Sequence, residues 1–303
     1  MSTCGCFKFR TTSLSKADPE LTSPIPGTDG WEVEWFDEIE STNTYLALRA
    51  TQGQPEGLVA VANYQSAGRG RLSRSWEATK ESSLLTSFLL RPTLALSECH
   101  LIVMGMSVAI TRTVSELYGV NLKIKWPNDI VHREVSSNAR FAKLAGILSE
   151  VVTPRDPGFE GLANTKDQPV SGSNESYALV IGIGLNLNWT KDQLAGAKFS
   201  SPPGALSEII GGRVDRKEIF YSLARKFYEI YADIDSQEQL NRVLEEYRSK
   251  CDTIGRQISV DSIQGNIQGQ ALDVATDGRL LVDTGACIAR VSIGDVMELG
   301  PQE

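Results

Sequence analysis

The stretch that organises the fold of this chain is Gln65-Ser66-Ala67-Gly68-Arg69-Gly70-Arg71-Leu72-Ser73-Arg74-Ser75-Trp76, called the arginine loop below. It lies between two β-rich apolar runs, Leu58–Tyr64 and Ser83–Leu90, which predicts a loop at the edge of a sheet. Its glycines permit close approach of the backbone, and its three arginines lie within six residues. Like charges at this spacing repel each other unless an anion lies among them, and a guanidinium group matches phosphate and carboxylate oxygens. The loop therefore predicts an anion site, with a solvated basic turn as the alternative.

Three further segments bring polar groups to the ends of predicted strands. The segment Lys125-Trp126-Pro127-Asn128-Asp129 follows a strand, and its proline fixes a turn because it disfavours helix at the preceding residue. Lys143 opens an apolar strand that Gly146 interrupts, where a ligand could approach the backbone. The segment Gly182–Asn186 ends a buried strand with two glycines and an amide. A polar turn or a solvated lysine is the structural alternative for each segment alone, and the sequence contains neither a dinucleotide-binding fingerprint nor a Walker A loop.

The composition argues against several classes of protein. The 303 residues suggest two domains, and 30 basic against 38 acidic residues give a net charge of −8, which argues against a chain built to neutralise nucleic acid. The longest apolar run, Leu101–Ile110, is shorter than the roughly 18 residues needed to span a bilayer. Five cysteines without paired spacing and only two histidines argue against a disulfide framework and a multi-histidine metal centre. We therefore expect a cytoplasmic protein with reduced thiols.

The chain changes character along its length, and three parts are predicted. Residues 1–30 are rich in Ser, Thr, Pro and Gly, which predicts a disordered leader with order beginning near Trp31. Residues 31–252 alternate β-rich and helical segments and predict the main domain, in which residues 153–176 form a mobile loop. Residues 253–303 contain short β-runs with hairpin signals at Gly265-Asn266 and Asp277-Gly278, which predict a small barrel.

Taken in chain order, five motifs resemble those of the biotin protein ligase family. They are the helix start Glu40-Ser41-Thr42-Asn43, the arginine loop, Lys125–Asp129, Lys143–Gly146 and Gly182–Asn186. The resemblance covers roughly residues 31–188, continues in the C-terminal β-runs, and is to the ligase-only form without an N-terminal DNA-binding domain. It implies an α/β (α+β) fold with a mixed β-sheet flanked by helices, of the biotin/lipoate ligase (class II synthetase-like) type, followed by a small SH3-like β-barrel.

The same resemblance implies an ATP-dependent biotin–protein ligase that forms AMP and pyrophosphate. Biotin and ATP would give biotinyl-5′-AMP, with Mg²⁺ bound through ATP and no metal ligand assigned among the protein side chains. The partner would be the biotin carboxyl carrier domain of acetyl-CoA carboxylase or a related carboxylase, whose lysine accepts biotin. The resemblance implies no nucleic-acid or membrane partner, and it leaves a monomer and a homodimer open.

The site residues implied by the resemblance fall into three overlapping groups. The catalytic group is Arg71, Lys143 and Asp129. The biotin-binding group is Ser41, Thr42, Asn43, Gln65, Arg69, Gly70, Arg71, Lys143 and Gly146. The ATP- or adenylate-binding group is Arg71, Arg74, Trp76, Lys125, Asn128 and Asn186. The residue types suit these roles, because cations offset the repulsion between a carboxylate and a triphosphate, and hydroxyl and amide groups pair with a ureido edge. We also expect residues 66–75 to close over the adenylate as a lid.

Three other functions compete with this interpretation. A lipoate–protein ligase would share the architecture and the adenylation chemistry, but the arginine loop and Lys125–Asp129 favour biotin. A non-catalytic biotin-binding adaptor would use the same pocket, and the joint presence of Arg71, Lys143 and Asp129 argues against it. A biotin-responsive DNA repressor would require a basic reading helix, which neither the leader nor the charge balance provides.

Overall fold

The computed structural model describes residues 19, 21–133, 141–153, 177–190, 192–193, 202–262, 265–292 and 294–299. The helices of this part are α1 (Thr42–Thr51), α2 (Cys99–Tyr118), α3 (Leu206–Ile210), α4 (Arg216–Tyr231) and α5 (Gln237–Lys250). The strands are β1 (Leu21–Pro24), β2 (Glu32–Ile39), β3 (Leu58–Gln65), β4 (Ser83–Leu90), β5 (Lys123–Lys125), β6 (Asp129–His132), β7 (Ala142–Val152), β8 (Ala178–Asn186), β9 (Gln257–Ser262), β10 (Gly265–Val274), β11 (Leu280–Asp283), β12 (Ile288–Val291) and β13 (Asp295–Glu298).

An eight-stranded mixed sheet forms the main layer, in the order β1-β2-β3-β4-β8-β7-β6-β5. Strands β2 and β3 are parallel, and the other neighbours are antiparallel. The central strands β4 and β8 are buried along their whole length because apolar side chains leave both faces of the sheet. Leu84 and Phe88 face the large core with α2 and α4, whereas Leu85 and Leu89 face a second core with α1. This arrangement confirms the predicted mixed sheet flanked by helices.

The C-terminal part, predicted as a small SH3-like β-barrel, forms a second, five-stranded antiparallel sheet in the order β12-β11-β10-β9-β13. Its Asp277–Gly278 turn contacts the main domain. The indole Nε1 of Trp126 donates to the Gly278 carbonyl at 3.2 Å, and the His100 ring packs on the same turn. The buried Trp126 thus fixes the C-terminal sheet against the segment that leads into the site.

Helix α2 forms the centre of the large core. It ends where Gly119 adopts a left-handed conformation with φ 68°, a common way for a helix to end at glycine. The segment Leu96–Tyr118, which includes α2, is long and apolar enough to cross a bilayer by length and composition. The shorter run Leu101–Ile110, which the sequence analysis considered, did not reach that length. Because 72% of its most apolar window is buried inside the protein, we interpret it as a core helix.

The structure corrects two details of the predicted chain organisation. Order begins before Trp31, because β1 pairs with β2 in antiparallel register and Ile25 is buried, so the prediction of a disordered leader is wrong for residues 21–30. The turn at Pro127 leads directly into the hairpin strand β6, which the sequence did not predict. The remaining leader residues 1–18 and 20, and residues 154–176 of the predicted mobile loop, lie outside the described residues.

Candidate active site

A cavity of about 320 Å³ lies where the arginine loop crosses the ends of β7 and β8. Its walls come from the start of α1, the end of β3, the arginine loop, the β6–β8 strands and the C-terminal sheet. The predicted site residues in its lining are Ser41, Thr42, Asn43, Gln65, Arg69, Gly70, Arg71, Arg74, Trp76, Asn128, Asp129, Lys143, Gly146 and Asn186. Lys125 is the predicted residue that the structure places outside this lining.

The arginine loop folds back on itself as a small hairpin. The Gly70 N–H donates to the Arg74 carbonyl at 2.7 Å, and the Trp76 N–H donates to the Gly68 carbonyl at 2.9 Å. A Cβ atom on Gly68 would lie only 2.3 Å from the Trp76 carbonyl oxygen, so this crossing requires glycine. Leu72 sits at the exposed tip with φ 55°. The hairpin directs its three arginine side chains to different anchors.

Each cation that lines the cavity has a partner from another element. Arg69 donates to the Glu150 carboxylate at 2.5 Å, and Arg74 is paired with Asp295 of the C-terminal sheet. Lys143 Nζ lies 2.7 Å from Asp129 Oδ1, in a pair that is mostly buried. The predicted repulsion between the arginines is therefore relieved by carboxylates that the protein itself supplies.

Arg71 is the most enclosed guanidinium of the arginine loop. It donates to Asn128 Oδ1 at 2.6 Å and to the carbonyl of Gly294 at 3.3 Å. Burial lowers the pKa of Arg71, and the charges of Asp129 and Asp295 partly offset this effect. A desolvated guanidinium with one amide and one carbonyl partner retains unused donors for a ligand oxyanion.

The electrostatics at Asp295 tie the arginine loop to the C-terminal sheet. Burial alone would raise the pKa of Asp295, but the hydrogen bond from Arg74 and the charges of Arg74, Arg71 and Lys125 hold it below its ordinary value. Lys125 itself is desolvated, which lowers its pKa, and its ammonium lies 4.8 Å from the centre of the Phe141 ring. The charge of Lys125 thus acts on Asp295, although Lys125 does not itself line the cavity.

Trp76 lies flat against the strands that floor the cavity. A Cβ atom on Gly184 would be 2.2 Å from the indole, and one on Gly146 would be 3.0 Å from it, so both glycines make room for the ring. The Lys143 ammonium lies 5.6 Å from the ring centre, within cation–π range. The indole Nε1 is buried beside Gly184 and has no hydrogen-bond partner among the described residues.

The opposite end of the cavity is lined by neutral polar groups. Ser41 caps α1 by accepting from the Thr44 N–H at 3.4 Å, as the sequence predicts. The Thr42 N–H donates to Gln65 Oε1 at 2.7 Å. Both donors of the Asn43 amide are already used, by Glu150 and by the Leu148 carbonyl. Asn43 therefore has no donor left for a ligand and serves to hold this wall in place. The hydrogen-bonding groups that remain for a ligand are on the side chains of Thr42 and Gln65.

Asn186 lies at the end of β8 and is almost fully buried. Its Oδ1 accepts from the Ser83 hydroxyl at 3.3 Å, and Ser83 in turn accepts from Trp189 Nε1 at 2.8 Å. The amide thus occupies a fixed position in the cavity wall.

Among the residues of the cavity and its supports, Ser87, Glu150 and Asp295 did not stand out in the sequence. Gly184 lies within the quoted Gly182–Asn186 segment, although it was not among the predicted site residues. Asp295 lies 221 positions after Arg74, and no local pattern connects them. Glu150 and Ser87 look like ordinary strand residues, because only the sheet register brings them to α1.

The described residues contain no group of three or more His, Cys, Asp or Glu side chains arranged to hold a metal ion. The carboxylates that pair with the arginine loop or with Lys143 are Asp129, Glu150 and Asp295, and each is engaged by a cation. The donor set therefore does not fit a metal centre built from these side chains.

The mixed sheet and a cavity with one cationic and one neutral polar end are the features expected from the resemblance to the biotin/lipoate ligases, and the comparisons with known proteins place the chain in that class. The model of the biotin/lipoate A/B protein ligase family matches residues 35–163. The chain is 30% identical over 285 residues to the biotin–[acetyl-CoA-carboxylase] ligase of Mycobacterium tuberculosis, covering 91% of this chain and 92% of that protein. It is 27% identical over 273 residues to the bifunctional ligase/repressor BirA of Bacillus subtilis, covering 89% of this chain and 75% of that protein. This chain belongs to the biotin protein ligase family.

The solved structures agree with this assignment at the level of the fold. The biotin protein ligase from Aquifex aeolicus in complex with biotin and ATP superimposes with a TM-score of 0.67, at 22% identity, covering 88% of this chain and 98% of that one.

Proposed function

We propose that this protein activates biotin with ATP to biotinyl-5′-AMP and transfers the biotinyl group to a lysine of a biotin carboxyl carrier domain. The observation that carries the proposal is that one cavity joins a neutral wall at Thr42 and Gln65 to a cationic wall at Arg71 and Lys143. A ligand with a polar uncharged head and an anionic tail matches both walls.

In the first step, a biotin carboxylate oxygen attacks the α-phosphorus of ATP, the new O–P bond forms, and pyrophosphate leaves. Two anions must meet, and fixed cations offset their Coulomb repulsion. Arg71, Arg74 and Lys143 supply that charge at the cavity, and they stabilise the α-phosphoryl oxygens as negative charge grows on them. Asp129 orients the Lys143 ammonium through their 2.7 Å contact.

In the second step, the acceptor lysine amine attacks the acyl carbon of the mixed anhydride, AMP leaves, and the amine loses a proton. Adenylates hydrolyse readily, so the intermediate must be covered. The hairpin of the arginine loop crosses the cavity and is anchored through Arg69, Arg71 and Arg74, which supports its role as the cover.

Several finer features belong to the same proposal. We assign Trp76 and Asn186 to the adenine, Asn128 to the phosphates, and Arg69, Gly70 and Gly146 to the biotin side of the cavity. Lys125 would act on ATP only through its charge. Mg²⁺ would arrive on the ATP phosphates, since the described side chains form no group arranged to hold a metal ion.

The acceptor and the cellular setting are also part of the proposal. The Mycobacterium tuberculosis relative is named for acetyl-CoA carboxylase, which supports a carboxyl carrier domain of that or a related carboxylase as the acceptor. Cys99, Cys251 and Cys287 are free thiols, which supports a cytoplasmic location. The net charge of −8 supports a protein whose substrates are not nucleic acids.

The test is incubation of the protein with labelled biotin, ATP, Mg²⁺ and a carboxyl carrier domain, followed by intact-mass measurement. We expect one biotinyl group on the acceptor, dependent on ATP, and biotin-dependent exchange of pyrophosphate into ATP without the acceptor. Lipoate in place of biotin is the control, because the lipoate–protein ligase alternative predicts lipoyl transfer at the higher rate. An adaptor would bind biotin and show no exchange, and that result would overturn the proposal.

A further inference from the structure

A chain of hydrogen bonds runs from Glu150 through the sheet to the neutral wall of the cavity. Asn43 Nδ2 donates to Glu150 Oε2 at 2.8 Å and to the Leu148 carbonyl at 3.4 Å. A carboxylate and a carbonyl can only accept, so the NH₂ end of the Asn43 amide must face them. The amide oxygen Oδ1 therefore faces the other way, toward Ser87.

The direction of the next two hydrogen bonds follows from this orientation. Ser87 Oγ lies 2.6 Å from Asn43 Oδ1 and must donate its single hydrogen there. Thr42 Oγ1 lies 2.6 Å from Ser87 Oγ and 3.1 Å from Gln65 Oε1, and each of these oxygens can only accept from it. Whichever of the two receives it, the Thr42 hydrogen points into the wall. Thr42 thus offers a lone pair to the cavity.

Gln65 completes the pattern with the opposite polarity. Its Oε1 accepts the Thr42 backbone N–H at 2.7 Å, so the donor Nε2 is the end that remains for a ligand. The wall therefore presents an acceptor beside a donor. A ligand edge with an N–H next to a C=O complements it, as in a cyclic urea, whereas a dithiolane ring offers neither group.

The surroundings leave this chain little room to rearrange. Ser87, Thr42 and Asn43 are all buried. A Cβ atom on Gly182 would lie 2.0 Å from Asn43 Oδ1, so glycine at this position of β8 is needed for the amide to lie against the strand. Water cannot readily replace the lost partners in such a site, and each member keeps the orientation of the next.

We propose that Ser87, Asn43 and Glu150 are positioning residues that fix Thr42 as a hydrogen-bond acceptor and thereby make the pocket specific for a head group with an N–H donor. The inference deepens the proposed function and rests on it. The three residues would act through Thr42, and none of them needs to touch the ligand.

The experiment compares biotin with its two cyclic carbamate analogues, in which a ring oxygen replaces one ureido N–H or the other. Their Kd values are measured by titration calorimetry, and KM and kcat by pyrophosphate exchange. In the wild type, one carbamate should bind about 10- to 100-fold more weakly than biotin, because its oxygen faces the Thr42 lone pair. In Ser87→Ala, Thr42 loses its 2.6 Å acceptor and keeps only the longer 3.1 Å contact to Gln65 Oε1, so its hydrogen is held less firmly against turning to the ligand, and this ratio should fall by up to about tenfold.

Glu150→Gln is the second variant, and it retains the shape of the side chain. A neutral amide at position 150 is a weaker acceptor than a carboxylate, so it holds the Asn43 amide less firmly, and the ratio should fall here too. The variant also weakens the contact with Arg69, but that loss should affect both ligands alike and leave the ratio unchanged. Thr86→Val is the matched control. Thr86 is the buried neighbour of Ser87 on β4, and its Oγ1 has no hydrogen-bond partner among the described residues, so the ratio should stay at the wild-type value.

The outcomes separate the inference from the proposed function. If Ser87→Ala and Glu150→Gln weaken both ligands by the same factor and keep the ratio, the positioning role is overturned while the ligase assignment stands. If the wild type neither binds biotin nor supports exchange with it, the proposed function fails, and the specificity inference falls with it.

Discussion

Replacing Lys143 by methionine separates the electrostatic contribution of its ammonium from its packing. The variant Lys143→Met keeps most of the side-chain stem, which packs against the backbone of Gly146. It removes the charge that lies 2.7 Å from Asp129. The ion pair is partly screened, since its side chains are 21% and 16% exposed, so its loss should cost about 1–2 kcal/mol of folding free energy. Removing a preorganised charge from the transition state costs about 10²–10³ in rate, or roughly 3–4 kcal/mol.

The two effects are measured separately. Urea unfolding gives the loss of stability, and biotin-dependent pyrophosphate exchange at saturating substrates gives kcat. Since typical domains are stable by about 5–15 kcal/mol, Lys143→Met should remain folded at 25 °C and still lose adenylation. Lys123→Met, an exposed lysine on β5, is the control and should change neither quantity. Exchange within tenfold of the wild type in folded Lys143→Met would refute the role of the ammonium in the transition state.

Three further predictions concern the walls of the cavity. Gly184→Ala should displace the Trp76 indole, because its new Cβ would lie 2.2 Å from the ring, and Kd for ATP analogues should rise while urea stability falls only modestly. Asp295→Asn should remove stability at neutral pH. Because Arg74 and neighbouring charges hold the pKa of Asp295 below its ordinary 3.8, that stability is present above this value and is lost as the pH falls through the lower folded-state pKa. The difference in unfolding free energy between wild type and variant should therefore shrink as the pH is lowered from about 5 to 3. Limited proteolysis within residues 66–75 should slow when biotin and ATP are both present. Equal cutting with and without the two ligands would refute the hypothesis that these residues form a lid.

The sequence predicts most of this fold because local patterns carry it. Strand β4 has the predicted bounds, since an uninterrupted apolar run at Ser83–Leu90 fits only a strand buried on both faces. An Asp followed three residues later by a Glu is a helix-start signal that can be read from the sequence, and α4 begins directly after Asp215, whose carboxylate accepts from the Lys217 and Glu218 N–H groups. The start of order was misjudged because Leu21–Pro24 is short and polar in part, and only its pairing with β2 makes it a strand.

The candidate site was predictable up to the point where distant chain segments meet. The arginine loop, Lys143 and Asn128 lie on recognisable local motifs, and the structure brings them to one cavity. The supports of that cavity come from sheet register and from the docking of the C-terminal sheet. No sequence pattern links Ser87 to Asn43 across 44 positions, because a hydrogen bond between strands and helices depends on how the whole core packs.

The charge balance of the cavity bears on how the reaction can start. Arg69, Arg74 and Lys143 each have a carboxylate partner, and Arg71 has only an amide and a carbonyl. With Glu77 in the lining and the nearby Lys125 counted as well, five cations exceed four carboxylates by a single charge, far less than a triphosphate and a carboxylate bring together. An incoming anion must share or exchange the existing partners, so its net gain is smaller than the number of arginines suggests. A cation that travels with ATP would supply the missing balance. This deficit supports the proposal that Mg²⁺ enters the cavity on the nucleotide, because the described residues contain no metal cluster to supply that charge.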